Sequence, residues 1–385
     1  MPFLSVNNTR LFYRLEGRAE LPVLVLSHSL GCDHSMWDPQ MPAFLEYFRV
    51  LRYDTRGHGA SDAPAGEYSI EQLGEDARAL ITALKIDSYV WCGLSMGGAV
   101  GQWLALHAPT GMKALVLANT SPKFGTAEMW EARLQAVRKA GMPGVAETAM
   151  QRFFSPANQT STYAESTRRV LLGMDPQGYA GCSAALRDLN FRNDVSRLKL
   201  PVLVIGSDRD PSTPWEDNGD FLAREIAGAT SVVLPGAHLS NLEQPQSFKT
   251  AVLEFLLRLS EGGDSLEKGM RVRRWVLGDE HVERSFASAT EINRDFQTYI
   301  TESIWGKIWS RPGLEHRTRR LLVLAVTSAM GRWEEFRLHV RAALAHGMEA
   351  TEVKEMLLQV AAYAGAPAAN TGFQVAREEL EKLSS

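Results

Sequence analysis

Cysteine is scarce in this chain: 385 residues hold only Cys32, Cys92 and Cys182, and none follows Cys182. Three irregularly spaced thiols supply neither a disulfide framework nor a zinc site, and they fit a reducing compartment. Long apolar runs are absent too, none approaching the roughly 20 residues a membrane span needs. The N-terminus, MPFLSVNNTRLFYRLEG, lacks the basic segment, apolar core and small-residue cleavage site of a secretory leader, so the expected location is the cytoplasm. Net charge is small, −4, which gives no basis for nucleic acid as a partner. There is no phosphate loop or dinucleotide fingerprint, and neither an organic cofactor nor a metal is implied. Lysine is the last scarcity. From Met270 onward thirteen arginines stand against Lys307, Lys354 and Lys382, a bias toward carboxylate or ion-pair recognition in fork geometry. Helix-surface arginines paired with local glutamates account for most of them.

What is present suffices for two domains. PVLVLSH, FRVLRYD, SYVWCG, KALVLAN, PVLVIGS and TSVVLPG are strand-length, β-branched and bounded by turn residues. Their hydrophobicity is continuous rather than alternating, which means strands buried on both faces and hence a largely parallel sheet covered by helices. Between about residues 121 and 198 the strand signals give way to helical, aromatic-rich segments, the pattern of a cap inserted over a site. The stretch 261–269, EGGDSLEKG, has no apolar period and reads as a linker between a domain at 1–260 and another at 270–385. The second domain is helical throughout. Gly331, Gly347 and Gly365 sit where C-terminal caps belong, and Thr351 followed by Glu355 offers an approximate N-cap signal.

Gly93-Leu94-Ser95-Met96-Gly97 follows a strand and precedes the helical GAVGQWLALHA, the context a nucleophile elbow requires. The flanking glycines suit a turn too tight for bulk. Such an elbow exposes Ser95 and leaves the Met96 N–H free to stabilise an oxyanion. A serine hydroxyl needs a base, and a histidine base needs a carboxylate to fix its tautomer. His238 in GAHLSNLEQP follows a strand, and two carboxylates, Asp208 and Asp210, end another.

Together GLSMGG, DTRGHGASD, SHSLG and GAHLSNLEQP resemble the branch of the α/β-hydrolases that contains the 3-oxoadipate enol-lactonases, over residues 1 to 260. The resemblance assigns the triad acid to Asp210, which begins a D-x-x-T-P run, with Asp208 as the fallback. It places the second oxyanion donor at the Leu30 N–H, although Ser29 stands where the family commonly has glycine. His28 and His58 would support loops rather than react. It also implies opening of an enol-lactone ring through an acyl-enzyme, and a serine nucleophile argues against a haloalkane dehalogenase, which uses aspartate there. The substrate carboxylate needs a cation, for which Arg133 in the cap is one choice among several.

From Met270 on, DFQTYITESIWGKIWSRPGLEHRTRRLLVLAVTSAMGRWEEFRLHVRAALAHG and EVKEMLLQVAAYAGAPAANTGF resemble the 4-carboxymuconolactone decarboxylases, whose fold is shared with alkylhydroperoxidase-type proteins. Where those proteins carry Cys-x-x-Cys and then His, this chain has Arg332, Glu335 and His339, so dithiol redox chemistry is excluded. Decarboxylation needs a sink for electrons and a proton donor: the lactone carbonyl is the sink, arginines hold carboxylates, and His339 or Glu335 delivers the proton. Glu335 and His339 are i, i+4 neighbours with Arg332 one turn earlier. A lone histidine on an apolar helix is more often a core residue; the resemblance assigns His339 to catalysis. Arg317, Arg319 and Arg320 cannot all face one way, and Arg320 and Arg332 are the arginines taken for substrate. Trp305, Trp309 and Trp333 read as core or interface residues.

The fold expected is thus an α/β-hydrolase with a helical cap, followed by an all-α carboxymuconolactone-decarboxylase-like domain. The product of the second family is the substrate of the first, so the chain resembles the fused enzymes of the protocatechuate branch of the β-ketoadipate pathway. The partners implied are small-molecule lactones and a second copy of the chain, met through the C-terminal part. The competing reading is a general esterase or perhydrolase with a helical domain that serves only assembly.

Overall fold

The computed structural model describes residues 2–259, 265–311, 314 and 316–384. The chain divides into two compact units, Met1–Val252 and Leu253–Ser385. The division falls inside the helix Pro245–Leu259. Of the expected linker, residues 261–264 lie outside the described residues, and helix begins at Ser265.

In the first unit eight strands form one sheet in the order β1-β2-β4-β3-β5-β6-β7-β8. They are β1 (Phe3–Val6), β2 (Thr9–Glu16), β3 (Val23–Ser27), β4 (Arg49–Tyr53), β5 (Tyr89–Leu94), β6 (Met112–Ala118), β7 (Val202–Ser207) and β8 (Thr230–Leu234). β3 to β8 are parallel, with Leu26 paired to Cys92 and Cys92 to Val116. Every residue of β7 is buried, which is why its sequence is continuously apolar. β1 and β2 add an antiparallel hairpin through a turn at Asn7 and Asn8, both at positive φ (44° and 58°), the backbone that a two-residue hairpin turn demands.

Between β6 and β7 four helices form the cap: Ala127–Ala140, Pro143–Phe153, Thr162–Leu172 and Pro176–Asp188. Three carry side-chain caps, Thr126 accepting from Met129 N–H, Ser161 from Ala164 N–H and Asp175 from Gln177 and Gly178 N–H.

The second unit is helical: Ser265–Leu277, Asp279–Ala287, Arg294–Ile300, His316–Ala329, Trp333–Ala345, Ala350–Ala364 and Ala366–Ser384, with the segment Thr301–Trp309 wound as π-helix. The first of these crosses the π-segment at backbone contact. A Cβ on Gly269 would lie 2.0 Å from the Thr301 carbonyl oxygen, and one on Gly306 2.1 Å from that of Ser265. The core is built from Leu324, Phe336, Val340, Ala343 and Leu357. Buried Glu379 accepts from Arg337, Arg341 and Lys382, tying the last helix to Trp333–Ala345. Gly331, Gly347 and Gly365 end their helices at positive φ. The N-cap of Ala350–Ala364 is Glu349, in a reciprocal capping box with Glu352, rather than Thr351.

Candidate active site

At the end of β5 the chain turns so sharply into the helix Met96–His107 that Ser95 adopts φ 56°, ψ −111°, a conformation non-glycine residues rarely take. The turn is held by Ser95 N–H donating to the Ala118 carbonyl (2.9 Å), Gly97 N–H to the His28 carbonyl (3.0 Å) and the Thr120 hydroxyl to the Ser95 carbonyl (2.7 Å). Glycine is required on both sides. A Cβ on Gly93 would lie 2.1 Å from the Gly97 carbonyl oxygen, and one on Gly97 2.1 Å from that of Ser27. Met96, as the first helical residue, has an N–H with no acceptor inside the helix.

Asp210 follows β7 and is buried. Its Oδ2 accepts from His238 Nδ1 (2.8 Å), the Thr213 hydroxyl (2.6 Å) and Asn119 Nδ2 (3.0 Å), and its Oδ1 from the N–H groups of Ser212 (2.8 Å) and Thr213 (3.1 Å). Burial works against the charged carboxylate, but His238 and these donors outweigh it and hold the group well below the usual carboxylate range. An ionised carboxylate can only accept, so His238 carries its proton on Nδ1 and presents Nε2 as a base. Asp208 is half exposed, accepts from Gly236 N–H and pairs with Arg209. The two carboxylates are thereby told apart.

The loop Ser29-Leu30-Gly31 is pinned from behind by two histidines. His58 Nε2 accepts from Gly31 N–H (3.1 Å), and His28 Nε2 accepts from Thr55 N–H (2.9 Å) while its Nδ1 donates to the Ser29 carbonyl. Both roles need uncharged rings, and burial depresses both, His58 to about 3. Ser29, Leu30, Ser95 and His238 line one cavity of about 90 Å³ together with Arg133 and Arg152 from the cap. Arg133 is one of the several cations that the sequence offers; Arg152 carries no local signal. A serine at a sharp elbow and a histidine with its proton held on Nδ1, lining one cavity, have the parts for acyl transfer.

In the second unit His339 faces the π-segment, its ring nearly parallel to those of Trp305 (centroids 6.5 Å) and Trp309 (6.3 Å). Burial, then Arg320 and His281, lower it to about 4, and its Nδ1 has no hydrogen-bond partner. Arg320 is buried over Trp275 and donates one N–H to the Val276 carbonyl (3.2 Å), leaving Nη2 unpaired; burial lowers it to about 10. His316, missed from sequence, packs on Trp275 and Trp309, and burial with neighbouring arginines lowers it to about 2. Glu335 and Arg332 are both exposed; Glu335 lines a shallow depression with His281, Arg337 and Arg341. Arg317 pairs with Glu352, and Arg319 donates to the Leu314 and Arg311 carbonyls. Trp333 packs against Phe336. The arrangement places an imidazole with an unpaired Nδ1 and an arginine with an unpaired Nη2 among tryptophans.

Residues 22–245 match the alpha/beta hydrolase fold family, and residues 294–378 match the Carboxymuconolactone decarboxylase family. 3-Oxoadipate enol-lactonase 2 of Acinetobacter baylyi is 41% identical over 259 residues, spanning 67% of this chain and 97% of the relative. 4-Carboxymuconolactone decarboxylase of the same organism is 43% identical over 117 residues, spanning 30% of this chain and 87% of the relative. The crystal structure of the enol-lactonase from Burkholderia xenovorans LB400 is similar at a TM-score of 0.65 and 39% identity, covering 66% of this chain and 99% of that one.

Proposed function

Because the chain belongs to the alpha/beta hydrolase fold family, with a C-terminal part that belongs to the carboxymuconolactone decarboxylase family, we propose that it performs two consecutive reactions. The helical unit decarboxylates 4-carboxymuconolactone to 3-oxoadipate enol-lactone, and the α/β unit hydrolyses that lactone to 3-oxoadipate. The observation that carries this reading is the presence, in one polypeptide, of a serine, histidine and aspartate set around a cavity and of a cysteine-free domain of the decarboxylase family.

In the α/β unit Ser95 Oγ attacks the lactone carbonyl as His238 Nε2 takes its proton. The tetrahedral oxyanion is met by the N–H groups of Met96 and Leu30. Collapse breaks the ring C–O bond and expels the enol, which becomes the ketone of a Ser95-bound acyl group. Water, deprotonated by His238, attacks that ester and releases 3-oxoadipate and the serine. In the helical unit Arg320 holds a substrate carboxylate, loss of CO₂ leaves its electron pair delocalised into the lactone carbonyl, and His339 delivers the proton to the ring carbon. Burial keeps His339 neutral, and an anionic substrate beside it favours the imidazolium. Glu335 and Arg332, from their exposed positions, are lesser contributors.

Location in the cytoplasm and self-association complete the proposal. Among the described residues no helix is long and apolar enough to cross a membrane. Of the large apolar side chains left exposed among the described residues, four lie in the first unit and twelve in the second, including Phe296, Tyr299, Val326, Met330 and Tyr363. This concentration supports self-association through the second unit, and a monomer by light scattering at working concentration would dismiss it. The test of function is to supply the purified protein with 4-carboxymuconolactone and follow products by NMR. Stoichiometric CO₂ and 3-oxoadipate are expected; hydrolysis of supplied enol-lactone without CO₂ release would reduce the helical unit to an assembly module.

A further inference from the structure

Arg133 and Arg152 come from different cap helices, Ala127–Ala140 and Pro143–Phe153, and meet at the wall of the cavity that holds Ser95 and His238. Both are half-buried, and among the described residues neither forms an ion pair with a carboxylate. Three other cap arginines are neutralised: Arg138 and Arg187 pair with Glu67 and Glu131, and Arg168 pairs with Glu147, while Arg169, also without an ion pair among the described residues, lies away from the cavity. Arg133 rests on the Trp130 ring, 4.6 Å from its centroid, and shares the cavity wall with the buried Tyr179. Two like charges set side by side without a counter-charge cost stability. Burial and then Arg133 both disfavour the charged form of Arg152. An arrangement of this kind is compensated when a bound anion supplies the missing charge.

The position of the pair also fixes which part of the substrate carries the anion. The Arg152 carbonyl accepts from the His238 N–H (3.3 Å), the Phe153 carbonyl accepts from Leu239 N–H (3.0 Å), and the Phe153 ring stacks on the His238 imidazole. Arg152 is thus built onto the histidine loop, whereas the oxyanion donors stand on β5's elbow and the Ser29-Leu30 turn. In acyl transfer the histidine faces the departing oxygen. We infer that Arg133 and Arg152 together form a carboxylate clamp on the leaving-group side of the hydrolase cavity, selecting esters and lactones whose alcohol or enol portion carries a carboxylate. Arg152 is a specificity-determining residue on this account. The clamp rests on the serine-hydrolase reading of this cavity for its orientation, but not for its affinity for anions.

The experiment has a kinetic arm and a binding arm. The wild-type protein is given 3-carboxyphenyl acetate and the methyl ester of the same compound, which share their acyl group and differ in charge on the leaving group. The expected result is a kcat/KM at least about tenfold higher for the acid, as charge-assisted hydrogen bonds of this type imply. In Arg152→Met the ratio collapses toward one, mainly through KM for the acid, and Arg152→Lys recovers part of it. A wild-type ratio near one, or a ratio unmoved in Arg152→Met, overturns the inference. The binding arm uses Ser95→Ala protein titrated calorimetrically with 3-oxoadipate. Affinity is expected to fall about tenfold or more in Ser95→Ala/Arg152→Met, and unchanged affinity overturns the clamp. If neither ester is hydrolysed while binding still depends on Arg152, the hydrolase reading fails and the anion clamp stands.

Discussion

Replacing Asp210 by asparagine keeps size and shape but removes the charge and changes the hydrogen-bonding parity. Five donors converge on the carboxylate: Ser212 and Thr213 N–H on Oδ1, and His238 Nδ1, the Thr213 hydroxyl and Asn119 Nδ2 on Oδ2. An amide has one acceptor oxygen and two N–H bonds. With its oxygen on the His238 side, the NH₂ confronts two backbone donors. With the oxygen turned the other way, the NH₂ confronts the Thr213 hydroxyl and Asn119, and pushes His238 toward the tautomer with the proton on Nε2, which cannot act as a base. Each unmet donor costs about 1–3 kcal/mol. The imidazolium formed during attack also loses its counter-charge, and the corresponding substitution in a serine protease lowers kcat by about 10⁴. We therefore expect Asp210→Asn to lower kcat for enol-lactone hydrolysis by about 10³–10⁴, with KM changed little and CO₂ release intact. Asp208→Asn, at a half-exposed position, should stay within about threefold, the range of surface changes. Spectrophotometric assay of lactone loss for both variants decides the matter. An Asp210→Asn enzyme within tenfold of wild type, or a larger loss in Asp208→Asn, refutes the assignment of the acid.

Three further outcomes follow from the geometry. Gly97→Ala places a methyl 2.1 Å from the Ser27 carbonyl oxygen, so the elbow must shift; hydrolase activity should be abolished and the first unit destabilised by about 1–3 kcal/mol in urea melts. Glu379→Gln leaves Arg337, Arg341 and Lys382 without their shared carboxylate, and should lower stability of the helical unit by about 1–3 kcal/mol. Its pH dependence has a fixed sign: burial opposes the Glu379 charge, but the three cations hold it down to about 2 from 4.5, so its contribution is full above pH 4.5 and lost as pH falls toward 2. Glu379→Gln should accordingly flatten the acid limb of a stability profile, and an unchanged limb would contradict the network's role. Glu335→Ala, at an exposed position, should keep CO₂ release within about threefold, and a hundredfold loss would return Glu335 to the proton-transfer step.

The parallel sheet is readable in the sequence because β3 to β7 lie largely between covering layers, and continuous apolar runs of strand length are too short to be buried helices; β8, expected to be buried on both faces, is instead a mostly exposed edge strand whose neighbour lies on one side only. The β1–β2 hairpin is not readable, because half-exposed strands alternate and carry little hydrophobic signal; its trace is the Asn7-Asn8 pair, both at positive φ. The helix Ser265–Leu277 begins inside a polar, glycine-bearing stretch that reads as linker, and what specifies it is the backbone approach between Gly269 and Gly306, a tertiary fact. The residues that meet around Ser95 are legible since each sits at a strand end with its own local motif. Arg152 is not, since only the fold of the cap carries it to the histidine loop. Spacing puts Glu335 and His339 on the same helix, yet a turn of helix separates an exposed carboxylate from an imidazole facing two tryptophans. Period alone does not fix which edge of a helix is covered.

The central claim is that two sites in one chain act in sequence, and a division of labour between Ser95 and His339 tests it most directly. 4-Carboxymuconolactone is supplied to Ser95→Ala and His339→Ala proteins, shown folded by circular dichroism, and products are followed by NMR. Ser95→Ala should release CO₂ at the wild-type rate and accumulate 3-oxoadipate enol-lactone. His339→Ala should hydrolyse supplied enol-lactone normally while CO₂ release falls by about 10²-fold or more. Loss of both steps in either folded variant, or 3-oxoadipate formation by Ser95→Ala beyond the rate of spontaneous lactone hydrolysis, would contradict the account.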